Sequence, residues 1–424
     1  MVLGFMMLLS ACTVHQNRFF WLRLVAAFCA VCFPIVAAHA AEETGLFSLW
    51  QDWDPNQSRY FHNNFLHVGG WLNAGFNINP DQPSDNFNGP IGFSDRANEL
   101  QLNQFYLYLE RASNSSGKTW DVGGRLDFIF GSDAFYTRSM GDIADHWDSH
   151  LLHQRIYGIA LPQAYLDVAA PVGNGLHIKL GEFYTLVGYE SVMAPDNFFY
   201  SRSYAMQFGE PFSHTGVLAT YAIHEQFKLS AGAVTGSPFA GWDGGFEHHL
   251  ENWGFVGGVN FESPMTRSKL SISGTHGTLS EETQRNINLY SVVAKQDLGE
   301  NGHLTLQHDY GWSSADRGQQ GAKWYGVLGY LTFDISQQWS IGLRLEWFRD
   351  EDGTRVVSPV RYPASENGHA ANYYAATLGA NWRPMSLLTV RPSIRYDESD
   401  GWQAFNNQSS DNQLLISTDV MLNF

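Results

Sequence analysis

Only three cysteines occur in the 424 residues, Cys12, Cys29 and Cys32, and none lies beyond residue 32. Past that point a disulfide framework or a thiolate metal site is excluded. Charge is also scarce. Asp, Glu, Lys and Arg make up 16% of the chain, and 25 basic against 42 acidic residues leave a formal net charge of −17. Such a chain lacks the basic footprint of a nucleic-acid binder, so no nucleic-acid partner is expected. After the N-terminal segment no apolar run reaches the roughly 18 residues that a spanning helix needs. Catalytic signatures are missing as well, with no P-loop, no nucleophile elbow and no HExxH. A hydrolase would need a Ser–His pair brought together by the fold alone. Neither a reaction nor a cofactor is expected.

What is present is aromatic and glycine-rich: 15% of residues are Phe, Trp or Tyr, there are 41 glycines, and the mean hydropathy is −0.24. A wall of strands with one face in lipid and one in water has this average, because the two faces cancel.

The N-terminus reads as an export signal. Arg18 and Arg23 precede an apolar core from Leu24 to Val36, and Ala38-His39-Ala40 forms a small-residue cleavage site. Residues 1–40 are thus expected to be removed, with 41–62 as a periplasmic lead-in and 63–424 as the barrel. The cleaved chain would carry 23 basic and 42 acidic residues, a net charge of −19. Leu9-Ser10-Ala11-Cys12 resembles a lipoprotein box, but no basic residue precedes it, and residues before Arg18 read as a misassigned start.

From Phe65 onward about sixteen segments alternate apolar and polar residues with the period of a strand. Long connections follow the odd segments, at 79–98, 131–159, 188–214, 236–252, 279–286, 313–322, 350–371 and 397–411. Short ones follow the even segments, with turn chemistry in PVGNG, GENG and RPMS. This alternation predicts an all-β, transmembrane, antiparallel up-and-down barrel of about sixteen strands. In Trp339–Arg349, Ile341, Leu343, Leu345 and Trp347 should face lipid, and Arg344 and Glu346 the interior. Likewise Arg125 and Asp127 should point inward from Trp120–Phe130, and Arg391 and Arg395 from Leu387–Tyr396. Tyr106 and Tyr108 share the parity of Leu100 and Leu102, with Gln104 interrupting them. Trp312, Trp324, Trp339, Trp347 and Trp382 fit interfacial girdles. An inner wall of ions needs water or counter-ions, so a wet lumen is expected. In the last segment Phe424, Leu422 and Val420 should face lipid as an assembly signal for the barrel assembly machinery, with Asn423 and Asp419 inward.

The stretch Gly70–Arg111, GWLNAGFNINPDQPSDNFNGPIGFSDRANELQLNQFYLYLER, resembles the OmpL-like outer-membrane β-barrel porins of the porin-2 group. The resemblance continues through DVGGRLDFIFGSDA (Asp121–Ala134), LPQAYLDV (Leu161–Val168) and KLGEFYTLVGYESVMAPDNFFYSRSYA (Lys179–Ala205). It implies a barrel and a pore in the outer membrane of a Gram-negative bacterium. It implies no reaction and no particular solute.

In sixteen-stranded porins the third outer loop folds inward. Here that connection, 188–214, holds Glu190, Asp196, Arg202 and Glu210 among Phe198, Phe199, Tyr200, Tyr204 and Phe208. An aromatic loop of this kind solvates poorly and packs well on an inner wall. Its carboxylates are expected to face Arg125, Arg344, Arg391 and Arg395 across a constriction. His146, His150 and His153, beside Asp142 and Asp145, have helical spacing that could hold a divalent ion, but a solvated helical face is the favoured reading and no metal is predicted. Ser84-x-Asn86-x-Asn88-Gly89 lacks the leading Asp and closing Glu of a calcium loop and reads as a turn. The resulting expectation is passive diffusion of small hydrophilic solutes. The alternative is a non-conducting structural or binding barrel plugged by 188–214. Expected partners are outer-membrane lipid, the assembly machinery, the solutes and, as sixteen-stranded porins often form trimers, two further copies of the chain.

Overall fold

The computed structural model describes residues 65–114, 119–137, 151, 154, 156–235, 253–278, 286–314, 321–361 and 369–424. The export segment 1–40, the lead-in 41–62 and the His146, His150 and His153 cluster lie outside the described residues.

The period-two pattern is realised as seventeen strand segments. The first half runs β1 His67–Ile78, β2 Leu100–Arg111, β3 Asp121–Gly131, β4 Gly158–Ala160, β5 Ala164–Ala170, β6 Leu176–Tyr184, β7 Ser213–His224, β8 Phe227–Thr235 and β9 Trp253–Ser263. The second half runs β10 Ser268–Thr278, β11 Asn286–Leu298, β12 Gly302–Ser313, β13 Ala322–Asp334, β14 Trp339–Asp350, β15 Ala371–Met385, β16 Leu388–Asp400 and β17 Asn412–Asn423. Both β4 and β5 pair with β3, so the seventeen segments form sixteen staves. The break falls at 161–163, where Pro162 has no N–H to contribute. The ladder nevertheless continues across it, because the Asp127 amide donates to the Gln163 carbonyl at 2.9 Å.

Every stave is antiparallel to its neighbours, and β1 pairs with β17 from Trp71↔Asn423 to Ile78↔Ile416, closing the sheet. The ladder extends to the last residue: Gly70 and Phe424 exchange two backbone hydrogen bonds of 2.9 Å. Closure leaves no open edge of unpaired amides, a requirement in hydrocarbon.

The two faces separate as the sequence pattern predicts. Val122, Leu126, Ile341, Leu345, Ile394, Leu414, Ile416 and Phe424 are exposed on the outside, whereas Asp127, Arg344, Arg391, Arg395 and Asp419 are buried. Two expectations need correction. A register shift at Asn73/Ala74 leaves one extra residue in β2, so Gln101, Asn103 and Gln104 all point inward. Parity resets beyond this bulge, and Tyr106 and Tyr108 lie on the opposite face from Leu100 and Leu102. Trp324 belongs to no girdle. It is 1% exposed and points into the barrel, where its indole N–H donates to the Gly209 carbonyl at 3.1 Å.

Long and short connections sit at opposite ends, the long ones following β1, β3, β6, β8, β10, β12, β14 and β16. At the closing seam an added Cβ on Gly70 would lie 2.3 Å from the Tyr106 carbonyl and 2.8 Å from the Phe424 ring. Gly70→Val is therefore expected to sharply reduce the yield of compact, heat-modifiable barrel on cold SDS gels. Gly329→Ala meets the flexible tip of Leu306 at 3.2 Å and the Thr305 carbonyl at an ordinary 3.9 Å, and should leave that yield unchanged.

Candidate functional site

The connection between β6 and β7 spans 185–212, and two short helical turns, Ala194–Asp196 and Ala205–Gly209, fold it back on itself. Its aromatic side chains meet the inward-facing side of the wall. Phe199, Tyr204 and Phe208 pack with Trp324, Tyr330, Phe348 and Tyr373 in one buried cluster. The Tyr200 and Phe198 rings occupy the space that a Cβ would take at Gly75 and Gly342, each 2.3–2.5 Å from that position. Small residues on β1 and β14 thus let flat rings approach the backbone closely.

Polar contacts fix the same segment. Arg344 pairs with Glu190 at 2.7 Å and donates to the Ser201 carbonyl at 2.8 Å. Arg344 and Arg395 both lie 3.1 Å from Glu346, and Arg395 reaches Asp397 at 2.7 Å. Glu346 accepts from the Tyr204 amide at 2.7 Å, while the Tyr204 hydroxyl donates to Asp397 at 3.0 Å. Arg391 bonds Asp419 and also donates to the carbonyls of Ala194 and Asn197, at 2.9 and 2.6 Å. Arg344, Arg391 and Arg395 are at most 2% exposed. Buried guanidinium groups are tolerated only when every charge has partners, and here carboxylates and loop carbonyls supply them.

The expected site residues therefore divide into several roles. Glu190, Arg344, Glu346 and Arg395 form one network, with no gap between loop and wall. Arg202 caps the carbonyls of Phe199, Tyr200 and Val192 at 3.2–3.3 Å. Arg125 and Asp127 pair with each other on β3 at 2.7 Å, and Arg125 also reaches Glu110 at 3.3 Å. Asp196 is exposed and joins none of these pairs. The inward arginines are satisfied by ions and carbonyls, in place of the lumen water expected for them.

Several residues lay beyond sequence reasoning. Gln104, placed inward by the bulge, donates to the Val192 carbonyl at 2.8 Å and accepts from the Ala194 amide at 3.1 Å. It also donates to Asp133 at 2.8 Å. Arg361, from the connection after β14, bonds the Asp95 carboxylate and stacks 4.8 Å from Phe135 and Tyr136. Only the mixed parity around Gln104 hinted at this in the sequence. Beyond the network, a cavity of about 470 Å³ remains open along β9–β13 at the short-turn end, with Tyr189 at its edge.

Protonation differs within the site. Burial disfavours the Glu190 carboxylate, but Arg344 and Arg202 outweigh it and hold its pKa below 4.5. Burial, reinforced by the Asp309 carboxylate, pushes Glu210 well above that value. Burial likewise raises Asp133 from 3.8 to about 6.

A closed barrel with an apolar outer face and an ionised inner face is an outer-membrane β-barrel. The model of the beta-barrel porin-2, OmpL-like family matches residues 65–424, and the chain belongs to that family. No curated protein matches the sequence. Among solved structures, an anion-selective porin from Comamonas acidovorans is similar at a TM-score of 0.56 and 9% identity, over 85% of this chain and 99% of that one. OprB of Pseudomonas putida aligns at 0.55 and 12% identity, over 86% and 96%. The outer membrane channel DcaP of Acinetobacter baumannii aligns at 0.52 and 10% identity, over 85% and 97%. At these identities the likeness is one of fold.

Two predictions follow from the network. Arg344→Ala removes the ion partner of Glu190 and one of the two guanidinium partners of Glu346, and should cost about 3–5 kcal/mol in reversible unfolding, as for other broken buried pairs. A carboxyl whose pKa is raised by folding stabilises the folded state most when protonated. That contribution is complete below the unfolded value and is lost as pH climbs to the folded one. Resistance of 185–212 to limited proteolysis should thus fall as pH rises from about 4 through 6, as Asp133 ionises, and fall further as Glu210 does. The double variant Asp133→Asn, Glu210→Gln should flatten the slope.

Proposed function

We propose that the protein is a passive diffusion porin for small hydrophilic solutes, whose water-filled path is narrowed by the inward-folded segment 188–214. Glu190, Asp196, Arg202 and Glu210 of the loop, with Arg125, Asp127, Arg344, Glu346, Arg391 and Arg395 of the wall, are the residues that build the constriction, the buried ones by holding the loop against the wall. The observation that carries this reading is the loop's attachment to Arg344 and Arg391 inside the barrel, while a cavity of about 470 Å³ stays open beside it at the short-turn ends of β9–β13. A lumen divided in this way has a smaller bore than an unobstructed barrel of sixteen staves, and ions on its wall would select by charge.

Export by cleavage after Ala40 and recognition of Phe424, Leu422 and Val420 by the assembly machinery complete this reading. A homotrimer is proposed as well. One structure of similar fold, OmpT of Vibrio cholerae, is described in its trimer form, with a TM-score of 0.51 and 11% identity over 85% of this chain and 99% of that one.

A second reading, a non-conducting structural or binding barrel, draws on the complete burial of Arg344 under the loop. Planar-bilayer recording separates the two. The porin reading expects steady single-channel steps from the folded wild type and larger steps after deletion of Tyr189–Phe208. Conductance confined to the deletion variant would favour the plugged barrel. Silence from both folded proteins would overturn the porin reading.

A further inference from the structure

The cavity at the short-turn end is bordered by Tyr189, Glu262, Arg267, Lys269, Lys295 and Thr305. Lys269 on β10 and Lys295 on β11 are direct register partners. Both have the parity of the inward-facing Ser271, Ser273 and Val293, so their ammonium groups share one face. Side chains directly opposite on antiparallel strands have Cβ atoms about 4.5–5.5 Å apart, and like charges there repel. The sequence could have avoided this juxtaposition with any neutral residue.

Compensation within the chain is incomplete. Lys269 pairs with Glu262 at 2.7 Å, but both side chains are 57% exposed, and such a pair holds weakly and exchanges readily. Lys295 has no carboxylate partner among the described residues. Its Nζ lies 4.4 Å from the centre of the Tyr189 ring, a cation–π contact that orients the ammonium without neutralising it. The other carboxylate on the cavity wall, Asp297, is held by His303 at 2.9 Å, and His303 also reaches Asp334 at 3.3 Å. Arg267 donates to a backbone carbonyl, that of Gly299, at 3.1 Å. The unpaired charge in this chamber is therefore positive, although the chain as a whole is acidic.

We propose that this chamber is a binding site for small organic dianions, with Lys269 and Lys295 as its two anion-holding groups and Tyr189 as its lid. A dianion matches two ammonium groups at adjacent register positions. A monoanion would leave one of them unmatched, and a cation would meet the repulsion of both. About 470 Å³ accommodates a short dicarboxylate with part of its hydration shell. The site deepens the porin reading, because it would concentrate anionic solutes on the periplasmic side of the constriction. Its existence does not require that the barrel conduct.

Isothermal titration with succinate, using the folded barrel in detergent at low salt, tests this independently of conductance. The wild type should bind succinate, should bind propionate at least tenfold more weakly, and should not bind putrescine. Raising the salt should weaken succinate binding. Lys295→Met should lower succinate affinity at least tenfold, whereas Lys295→Arg, which keeps the charge, should retain it; heat-modifiability on gels reports folding of each variant. Absence of succinate binding by the wild type, or equal binding by folded Lys295→Met, would overturn the proposal. Silence in a bilayer with binding intact would overturn only the porin reading.

Discussion

A strand inside hydrocarbon has no water for its amides, so each must find a partner in the protein. The structure meets this demand through one seam, the pairing of β1 with β17 that runs to Gly70 and Phe424. Without it two strands would expose unpaired edges and the fifteen other ladders would enclose nothing. Glycine at position 70 belongs to this constraint, since only a hydrogen fits between the Tyr106 carbonyl and the Phe424 ring.

Closure fixes parity, and parity creates the inner problem. Once Ile341, Leu345 and Ile394 face outward, Arg344, Glu346 and Arg395 must face inward. In a narrow lumen those ions either hold water or hold protein. Here the 185–212 segment supplies the Ser201, Arg202, Ala194 and Asn197 carbonyls and the Glu190 carboxylate. The loop's aromatic rings settle on glycines, and its own Arg202 satisfies its carbonyls. The charged wall and the aromatic loop are therefore two halves of one packing unit, which leaves a cavity with its own charge pattern at the short-turn ends of β9–β13.

Much of this was legible in the sequence because a barrel is built on local rules. Period two gave the staves nearly to the residue, and loop lengths gave their order and the two ends. Legibility failed where one residue broke the period or where partners were distant in the chain. The extra residue at Asn103 inverts everything after it in β2, and Pro162 divides one stave into two. Trp324 resembles a girdle residue until the loop's Gly209 carbonyl is set against it. Arg361 finds Asp95 across more than half the chain, and no local pattern announces such a pair. The paired lysines at 269 and 295 become neighbours only once the β10–β11 register is fixed.

If the 188–214 segment narrows a conducting path, the size of the solutes that pass measures the bore. In liposome swelling with uncharged sugars, the wild type should admit monosaccharides and exclude tetrasaccharides, and a barrel lacking Tyr189–Phe208 should admit both. Identical size cut-offs for the two folded proteins would show that the segment does not narrow the path.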